Sequence, residues 1–390
     1  MLRLITAGES HGKSLTGILD GFPGGLEIDR AFVDLQLHRR QLGYGRGERM
    51  KIEQDRIEIL SGIRHGRTLG SPISFLIENK DWFSWQNPMS VVPVPDETDK
   101  RPVHSPRPGH ADLSGALKYQ THDIRDILER ASARETASRV AAGAICCLLL
   151  SRFGIRIGSH VLAIGSDKVS GGTGMFSAGS ILNIDAESEI RCLEDEAGKR
   201  MMKAIDDARA SGDTLGGVLE TVAAGVPPGL GSHIQWDRKM DGRIAQAMMS
   251  IPSAKAVEIG DAIDSVSNLG SKVHDEIFYS EEECLFFHKT NRAGGIEGGI
   301  TNGEDIRVRI HVKPIPTLRK PLRSVAMGTK QPTEAAFERS DTCVVPAAGI
   351  VAESMLAFIL ADAFLEKFGG DSIVEIESNF NNYKDLLHSF

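Results

Sequence analysis

The chain has 390 residues, of which 41% are hydrophobic and 25% are charged, as in a globular protein and unlike a disordered or fibrous one. Its formal net charge of −8 disfavours nucleic acid or an anionic membrane as the main partner, because both bind basic surfaces. The five cysteines lack any Cys-x-x-Cys spacing, and the N-terminus lacks the apolar core of an export signal. We therefore expect a cytoplasmic protein without disulfides that does not span a bilayer.

The first part of the chain alternates short strands, turns and helices. After an opening strand and a Gly-Glu-Ser-His-Gly turn, the pattern predicts a helix over 26–42 and short strands around 57–61 and 73–78. A proline-rich stretch follows over 87–108, which is typical of either a linker or an active-site loop.

A single long helix is predicted over 123–153. Its first half carries Asp126/Arg130 and Glu135/Arg139, pairs four residues apart that suit ion pairing on a helix surface. Its second half is nearly all apolar, so we expect that half to be buried.

Downstream, short strands alternate irregularly with helices. The predicted elements are a charged helix around 194–210, a helix around 237–250, a strand over 306–312 and an apolar helix from Pro346 to Phe368. This irregular order favours an α+β fold over a doubly wound parallel sheet.

Arginines cluster at two places in this acidic chain. The first group, interleaved with glycines, is Arg39, Arg40, Arg46 and Arg49; the second is Arg101, Arg107, Arg125, Arg130, Arg134 and Arg139. Guanidinium groups bind carboxylate and phosphate through paired hydrogen bonds, so these clusters suit a compact polyanionic ligand. Solvated arginines paired with neighbouring acids are the alternative, and composition leaves both interpretations open.

Two histidines lie in glycine-bounded turns beside arginines. The segment Gly8-Glu-Ser-His-Gly-Lys-Ser14 has one residue too few between its glycines for a phosphate-binding P-loop, which leaves Ser10 and His11 at a strand-to-turn junction. His110 follows Arg107-Pro-Gly, and an imidazole can exchange protons near neutral pH. We interpret His11 and His110 as a candidate acid/base pair, expect no metal, and note that either turn could be purely structural.

A glycine-rich segment, 294–303, precedes Lys313-Pro-Ile-Pro-Thr317 with one strand between them. The two segments could hold a phosphate or a flat cofactor with their backbone, or the first could be a plain hairpin turn. The spacing of a Rossmann dinucleotide fingerprint is absent from the sequence, which disfavours that fold.

Seven segments, in this order, resemble the chorismate synthase family over about residues 7–371. They are Gly8-Glu-Ser-His-Gly12, Arg107-Pro-Gly-His-Ala-Asp112, Glu129-Arg-Ala-Ser-Ala-Arg-Glu-Thr136, Met249-Ser-Ile-Pro252 with Val257-Glu-Ile-Gly260, Asn291-Arg-Ala-Gly-Gly-Ile-Glu-Gly-Gly-Ile300, Lys313-Pro-Ile-Pro-Thr317 and Glu338-Arg-Ser-Asp341. The resemblance implies anti-1,4-elimination of phosphate and a ring hydrogen from 5-enolpyruvylshikimate 3-phosphate, giving chorismate. It also implies a need for reduced FMN without net redox change, a β-α-β sandwich fold and a homotetramer.

The resemblance also implies roles for individual residues. His11 matches the histidine that protonates the leaving phosphate, His110 the one beside the reduced flavin, and Ser10 and Asp341 a pair that relays protons near the flavin N5. Substrate anions are assigned to Arg49, Arg107, Arg134 and Arg339, and NADP(H) to Arg40 and Arg46. Flavin contacts map to Arg130, Ala131, Ser132, Pro252, Ser253, Gly298, Lys313, Pro314, Ile315, Pro316, Thr317 and Arg339.

The chain departs from the family pattern at Ser253-Ala-Lys-Ala256, where Ala-Val-Lys-Gly is expected. We expect one large domain over 1–390 without an appended flavin reductase domain, so reduced flavin would come from an external reductase or reductant, with NADPH a possible source. Two other functions remain open at this point, a metal-independent phosphate-releasing hydrolase and a non-catalytic nucleotide-binding module. Dependence on flavin separates all three.

Overall fold

The computed structural model describes residues 1–47, 53–95, 97–171, 176–338 and 340–390. Its strands are β1 (Arg3–Ala7), β2 (Ser14–Asp20), β3 (Gly24–Glu27), β4 (Glu58–Ile59), β5 (Ile63–Arg64), β6 (Arg67–Leu69), β7 (Ile73–Glu78), β8 (Arg156–Ile164), β9 (Asp167–Lys168), β10 (Gly217–Ala224), β11 (Ala254–Ile259), β12 (Ile277–Ser280), β13 (Leu285–His288), β14 (Ile296–Glu297), β15 (Ile300–Thr301), β16 (Ile306–Val312), β17 (Arg323–Val325) and β18 (Pro332–Glu334).

Helices alternate with these strands in an irregular order. The α-helices are α1 (Arg30–Gln41), α2 (Asp112–Tyr119), α3 (Arg125–Ala131), α4 (Thr136–Arg152), α5 (Ala178–Leu182), α6 (Asp195–Ser211), α7 (Met240–Met249), α8 (Ala262–Ser265), α9 (Gly270–Val273), α10 (Val345–Phe368) and α11 (Ile373–His388). Short 3-10 helices span Lys80–Ser84, Ala133–Glu135 and Trp236–Arg238. Mixed helix and antiparallel sheet confirms the predicted α+β class.

A four-stranded antiparallel sheet has the strand order β1-β2-β7-β4. Its residues alternate between a buried face, with Leu15, Leu19 and Phe75 fully enclosed, and a face on which Ile18 is 43% exposed. The buried face packs against α4. A side chain at Gly17 would collide with the ring of Phe75, so glycine is required at this contact.

A five-stranded antiparallel sheet, ordered β11-β16-β10-β8-β9, packs against the other long helix, α10. Helices α4 and α10 also pack on each other, and their backbones approach closely where Gly143 meets Ser354. The resulting core runs from Leu2, just before β1, to Ile376 in α11. It is large enough to fix the loops that leave both sheets.

The most apolar helix, α10, lies inside the protein. Among the described residues it is the one helix long and apolar enough to cross a membrane, yet 78% of its most apolar stretch is buried within the protein. It is therefore a core helix. Its start next to Pro346 and its end before Gly369 confirm the predicted bounds to within one residue.

The predicted helix over 123–153 is wrong as a single element. It is split into α3 and α4 because Ser132 has extended backbone angles and its hydroxyl accepts a hydrogen bond from the N–H of Arg134. Asp126 and Arg130 both lie in α3, but the guanidinium of Arg130 donates to backbone oxygens of Thr6 and Gly8. The Glu135–Arg139 ion pair and burial of most of the apolar second half are confirmed.

One other predicted helix begins late, and two elements of the structure were not predicted. The helix expected over 26–42 begins only after Asp29, which caps it, because the preceding residues form β3 and pair with β6. The hairpin β5–β6 and the terminal helix α11 were not predicted. In contrast, the strand over 306–312 is confirmed residue for residue.

Candidate active site

The turn between β1 and β2 presents Ser10 and His11, both buried. Gly8 opens this turn with a φ of +103°, and a side chain there would collide with the carbonyl of Ser14. Asn79, directly after β7, holds the turn from the other side by donating to the carbonyls of Glu9 and Gly12. The sheet register therefore fixes the position of His11.

His11 is anchored to Glu129 near the end of α3. One oxygen of Glu129 lies 2.8 Å from Nδ1 of His11, and the other accepts the backbone N–H of His11 at 2.8 Å. Arg125, one turn earlier in α3, donates to the same carboxylate at 3.0 Å. Burial alone would raise the pKa of Glu129, but the hydrogen bonds from His11 and Arg125 outweigh burial and lower it.

An aromatic ring covers one face of His11. The indole of Trp85 stacks on the imidazole with ring centres 3.9 Å apart and planes inclined by 23°. The guanidinium groups of Arg101 and Arg125 lie 4.6 and 5.0 Å from the centre of the Trp85 ring, within cation–π range. Trp85 thereby connects His11 to the proline-rich stretch that carries Arg101.

The second predicted histidine, His110, lies in the turn before α2. Its Nδ1 hydrogen-bonds to Asp112, whose other oxygen accepts from Nε of Arg107 at 2.8 Å. Burial would raise the pKa of Asp112, but hydrogen bonds from His110 and Arg107 hold that pKa far below its ordinary value. Arg107 also donates to Thr317 at 2.9 Å, which brings the 313–317 segment to this histidine.

The ends of β11 and β16 lie beside the His110 turn. Ala254 pairs with Val312, so Ser253 and Lys313 are neighbours, and the Lys313 N–H donates to the Ser253 carbonyl at 2.9 Å. The Lys313 ammonium donates to the carbonyl of Gly109. Burial, and then repulsion from Lys255, lowers the pKa of Lys313.

Arg134 and Arg40 belong to a buried group of opposite charges. Arg134 donates to both oxygens of Asp55, at 2.6 and 2.7 Å, and to the side chain of Asn79 at 2.8 Å. Arg40 donates to Thr136 and to the Ala133 carbonyl and lies 3.7 Å from Asp55. Burial lowers the pKa of Arg40 to about 10, with Asp55 opposing the shift.

Asp341 and Arg46 form another pair. Nη1 of Arg46 lies 3.1 Å from Asp341, which also accepts the backbone N–H of Gly47 at 2.6 Å. The predicted proton-relay aspartate and one predicted NADP(H) arginine therefore contact each other directly. The predicted ligands Arg49 and Arg339 lie outside the described residues.

These motifs occur in a chain whose relatives are known. A family model described as chorismate synthase matches residues 2–365. The chain belongs to the chorismate synthase family. It is 51% identical over 390 residues to a chorismate synthase of Solibacter usitatus, covering 100% of both chains. It is 53% identical over 390 residues to one of Symbiobacterium thermophilum, covering 99% of both.

A solved structure agrees with these relatives. The chain matches a crystal structure of chorismate synthase with a TM-score of 0.81 and 44% identity, covering 100% of this chain and 99% of that one. The family resemblance in the sequence is thus confirmed. The hydrolase and the non-catalytic nucleotide-binding module, both left open by the residues alone, are not supported.

The structure brings together only some of the residues expected from the chorismate synthase pattern. Lys313 and Thr317 contact the His110 turn, and Ser253 hydrogen-bonds to Lys313. Gly298 lies instead in the β14–β15 hairpin, which precedes the start of β16. Arg130 hydrogen-bonds to Thr6 and Gly8, and the hydroxyl of Ser132 accepts from the backbone of Arg134. Ala131 ends α3.

Ser253 also bears on the departure from the chorismate synthase pattern. Its φ of +71° is the left-handed conformation that favours glycine, whereas Ala256 lies in β11 beyond a bulge at 254–256. Alanine in place of the expected glycine at position 256 is therefore not strained, because the backbone there is not left-handed. Any strain in this loop lies at Ser253 instead.

Sequence reasoning missed several residues that build the site. Trp85 and Asp55 gave no signal, since a lone tryptophan and a lone aspartate have no spacing to interpret. Glu129 lies inside a quoted motif, but its contact with His11 spans 118 residues and only the folded chain reveals it.

Proposed function

We propose that this protein converts 5-enolpyruvylshikimate 3-phosphate to chorismate by anti-1,4-elimination. The bond from carbon to the phosphate oxygen breaks, a ring C–H bond breaks, and a conjugated double bond forms. The observation that carries the proposal is the pair of histidines, His11 and His110, each hydrogen-bonded through Nδ1 to a buried carboxylate in a chain of this family. Such pairs suit proton transfer near neutral pH.

We assign the two histidines to different partners. His11 gives a proton to the departing phosphate, because Glu129 fixes its ring through Nδ1 and the residue matches the family's histidine at this position. His110 stabilises the reduced flavin from a turn that also contacts Lys313 and Thr317 through Gly109 and Arg107. Ser10 and Asp341 relay protons near the flavin.

Reduced FMN fits the donors around His110. The ammonium of Lys313 lies against this turn, at the carbonyl of Gly109, and a cation there suits a phosphate-bearing cofactor. Backbone at 313–317, Pro252 and Ser253 would hold the flavin, with Arg130, Ala131, Ser132, Gly298 and Arg339 as further contacts. When bound, reduced FMN supplies the chemistry that breaks an unactivated ring C–H bond without net redox change.

The number of carboxylates beside each arginine indicates which arginines can best bind a substrate anion. Arg107 belongs to a cationic group, whereas Arg134 and Arg40 are balanced by the carboxylates of Asp55 and Glu53. Arg107 is therefore the stronger partner for a substrate anion, with Arg49, Arg134 and Arg339 as further contacts. If NADPH is the reductant, Arg46 is the better candidate to bind it than Arg40, because the side chain of Arg40 is buried.

Several wider properties accompany this assignment. One continuous core and two sheets packed about α4 and α10 support a single domain with a β-α-β sandwich. Exposed apolar side chains on the β12–β13 hairpin, Ile277, Tyr279 and Phe286, support assembly into a homotetramer. Reduced flavin would come from an external reductase or reductant, and the free cysteines suit the cytoplasm.

An anaerobic assay tests the function. Purified protein is mixed with 5-enolpyruvylshikimate 3-phosphate and reduced FMN, oxidised FMN or no flavin, and chorismate and phosphate are both measured. We expect equal amounts of both products over many turnovers with reduced FMN only, and the flavin should remain reduced. Phosphate release without chorismate, or equal turnover without flavin, would contradict the proposal.

A further inference from the structure

Glu129 is a buried carboxylate, only 2% exposed. Its two oxygens meet His11 twice, at Nδ1 and at the backbone N–H, so it fixes both the ring and the turn that carries it. A carboxylate accepts hydrogen bonds only, and Nδ1 of His11 must therefore carry the proton in this contact. The tautomer of His11 is set by Glu129.

Other charges reach this pair from three elements. Arg125 shares the carboxylate of Glu129 from within α3, and its other Nη lies 3.0 Å from Glu338 in the loop after β18. Arg101, in the proline-rich stretch, reaches the site through the Trp85 ring. The positive charge of Arg125 thus weakens the attraction between Glu129 and His11. Glu338 partly neutralises Arg125 and so reduces that effect.

The sheet contains a pair of similar chemistry with different surroundings. His160 and Glu220 lie opposite each other on β8 and β10, with Nε2 and a carboxylate oxygen 3.2 Å apart and both side chains buried. Glu220 also accepts from Arg307 and Arg309, at 3.0 and 3.1 Å. This pair holds strands together and touches none of the proposed site residues named above, so it provides a structural reference.

We propose that Glu129 is a positioning residue for the proposed elimination, holding His11 as the Nδ1–H tautomer and placing a negative charge beside the ring that serves the leaving phosphate. The interaction is reciprocal, because a protonated imidazole that stabilises the carboxylate is itself stabilised by the same amount. Trp85 stacks on one face of the His11 imidazole and so helps to fix the orientation of that ring. This inference rests on the proposed function for its catalytic meaning, though the protonation of His11 can be measured without turnover.

The test compares kcat against pH for the wild type, Glu129→Gln, Glu129→Asp, Arg125→Met and the control Glu220→Gln. Removing the charge at Glu129 should move the alkaline limb of kcat to lower pH by about one unit or more and lower kcat at pH 8 by about tenfold or more. KM should stay within about threefold, since both oxygens of Glu129 are engaged within the protein by His11 and Arg125. Glu129→Asp keeps the charge and should restore the position of the limb.

Arg125→Met should shift the limb in the opposite direction, and Glu220→Gln should not shift it. Arg125→Met leaves Glu129 to His11 alone, so the limb should move to higher pH. Glu220→Gln should lower the melting temperature without moving the limb. A limb at the wild-type position in Glu129→Gln, or an equal shift in Glu220→Gln, would overturn the assignment. If neither Glu129 variant folds, an unmoved limb in Arg125→Met would overturn it.

A readout without turnover separates this inference from the proposed function. Diethyl pyrocarbonate modifies neutral imidazole, and peptide mass spectrometry can follow its reaction with His11 as pH rises. Reaction should begin at lower pH in Glu129→Gln than in the wild type and at higher pH in Arg125→Met. Wild-type protein that makes no chorismate would reject the proposed function, whereas unchanged His11 reactivity in both variants would reject the role of Glu129.

Discussion

His11 and His110 both hydrogen-bond through Nδ1 to a buried carboxylate, but the carboxylates come from different parts of the chain. Asp112 lies two residues after His110 in the same turn, whereas Glu129 lies 118 residues from His11 on another element. Asp112 also accepts from Arg107, so this group of histidine, aspartate and arginine is built from residues close in sequence. The geometry of His11 depends instead on how α3 docks against the β1–β2 turn, and disturbing that packing should harm His11 first.

The largest expected effects come from removing either histidine. His11→Ala and His110→Ala should each lower kcat by about 10²–10⁴-fold, the usual contribution of a general acid, while both variants remain folded. Steady-state assays with reduced FMN, run beside thermal unfolding, measure both properties. Preserved kcat per folded molecule with lowered melting temperatures would mean that the histidines are structural.

Breaking the Asp112–Arg107 pair should cost more stability than breaking the contact between Glu129 and His11. Asp112→Asn leaves the guanidinium of Arg107 buried beside a neutral group, and we expect a loss of about 3 kcal/mol in the free energy of unfolding at pH 7. The pKa of Asp112 is depressed in the folded state, so its contribution is fully present above about pH 4 and declines as pH falls further. Denaturant unfolding of both proteins from pH 7 to pH 3 should show the difference shrinking. A constant difference would contradict this account of Asp112.

Arg134 tests whether a buried ion pair or a substrate contact explains that side chain. Lysine cannot reproduce the paired bonds to Asp55 and the bond to Asn79, so Arg134→Lys should cost about 2 kcal/mol of stability. The control Arg139→Lys alters a partly exposed pair with Glu135 and should cost about 0.5 kcal/mol. If KM rises at least about tenfold while stability is unchanged, Arg134 binds substrate rather than the protein.

The smallest effect is expected at the ring that covers His11. Trp85→Phe keeps an aromatic face against the imidazole, and the stacking contribution of such pairs is only about 1 kcal/mol. We expect kcat to change by less than about threefold, with a larger loss in Trp85→Ala. Equal losses in both variants would show that the indole itself, not stacking, is required.

The sequence predicted elements where one local signal dominates and failed where two competed. The apolar run of α10, between Pro346 and Gly369, and the strand β16 were predicted closely. At Ser132 a favourable helix pattern competed with a side chain that caps the next turn, and the cap prevailed. The capping box of Ser372 and Glu375, which begins α11, was present in the sequence and was overlooked.

The site residues show the same contrast between local and distant signals. The turn from Arg107 to Asp112 could be identified because its histidine, arginine and carboxylate are close in sequence. The partners of His11 could not, because the contacts to Glu129 and Trp85 exist only once α3 and the Lys80–Ser84 helix have packed. Family resemblance identified His11, but only the fold explains how its ring is held.

The most direct test of the central claim, that the two histidines act on different partners, is the absorption spectrum of reduced FMN in the ternary complex. His110→Ala should alter that spectrum or its pH dependence, because His110 is assigned to the flavin. His11→Ala should leave the spectrum close to that of the wild type while turnover falls to a similar extent. A changed spectrum in His11→Ala together with a normal one in His110→Ala would contradict the assignment.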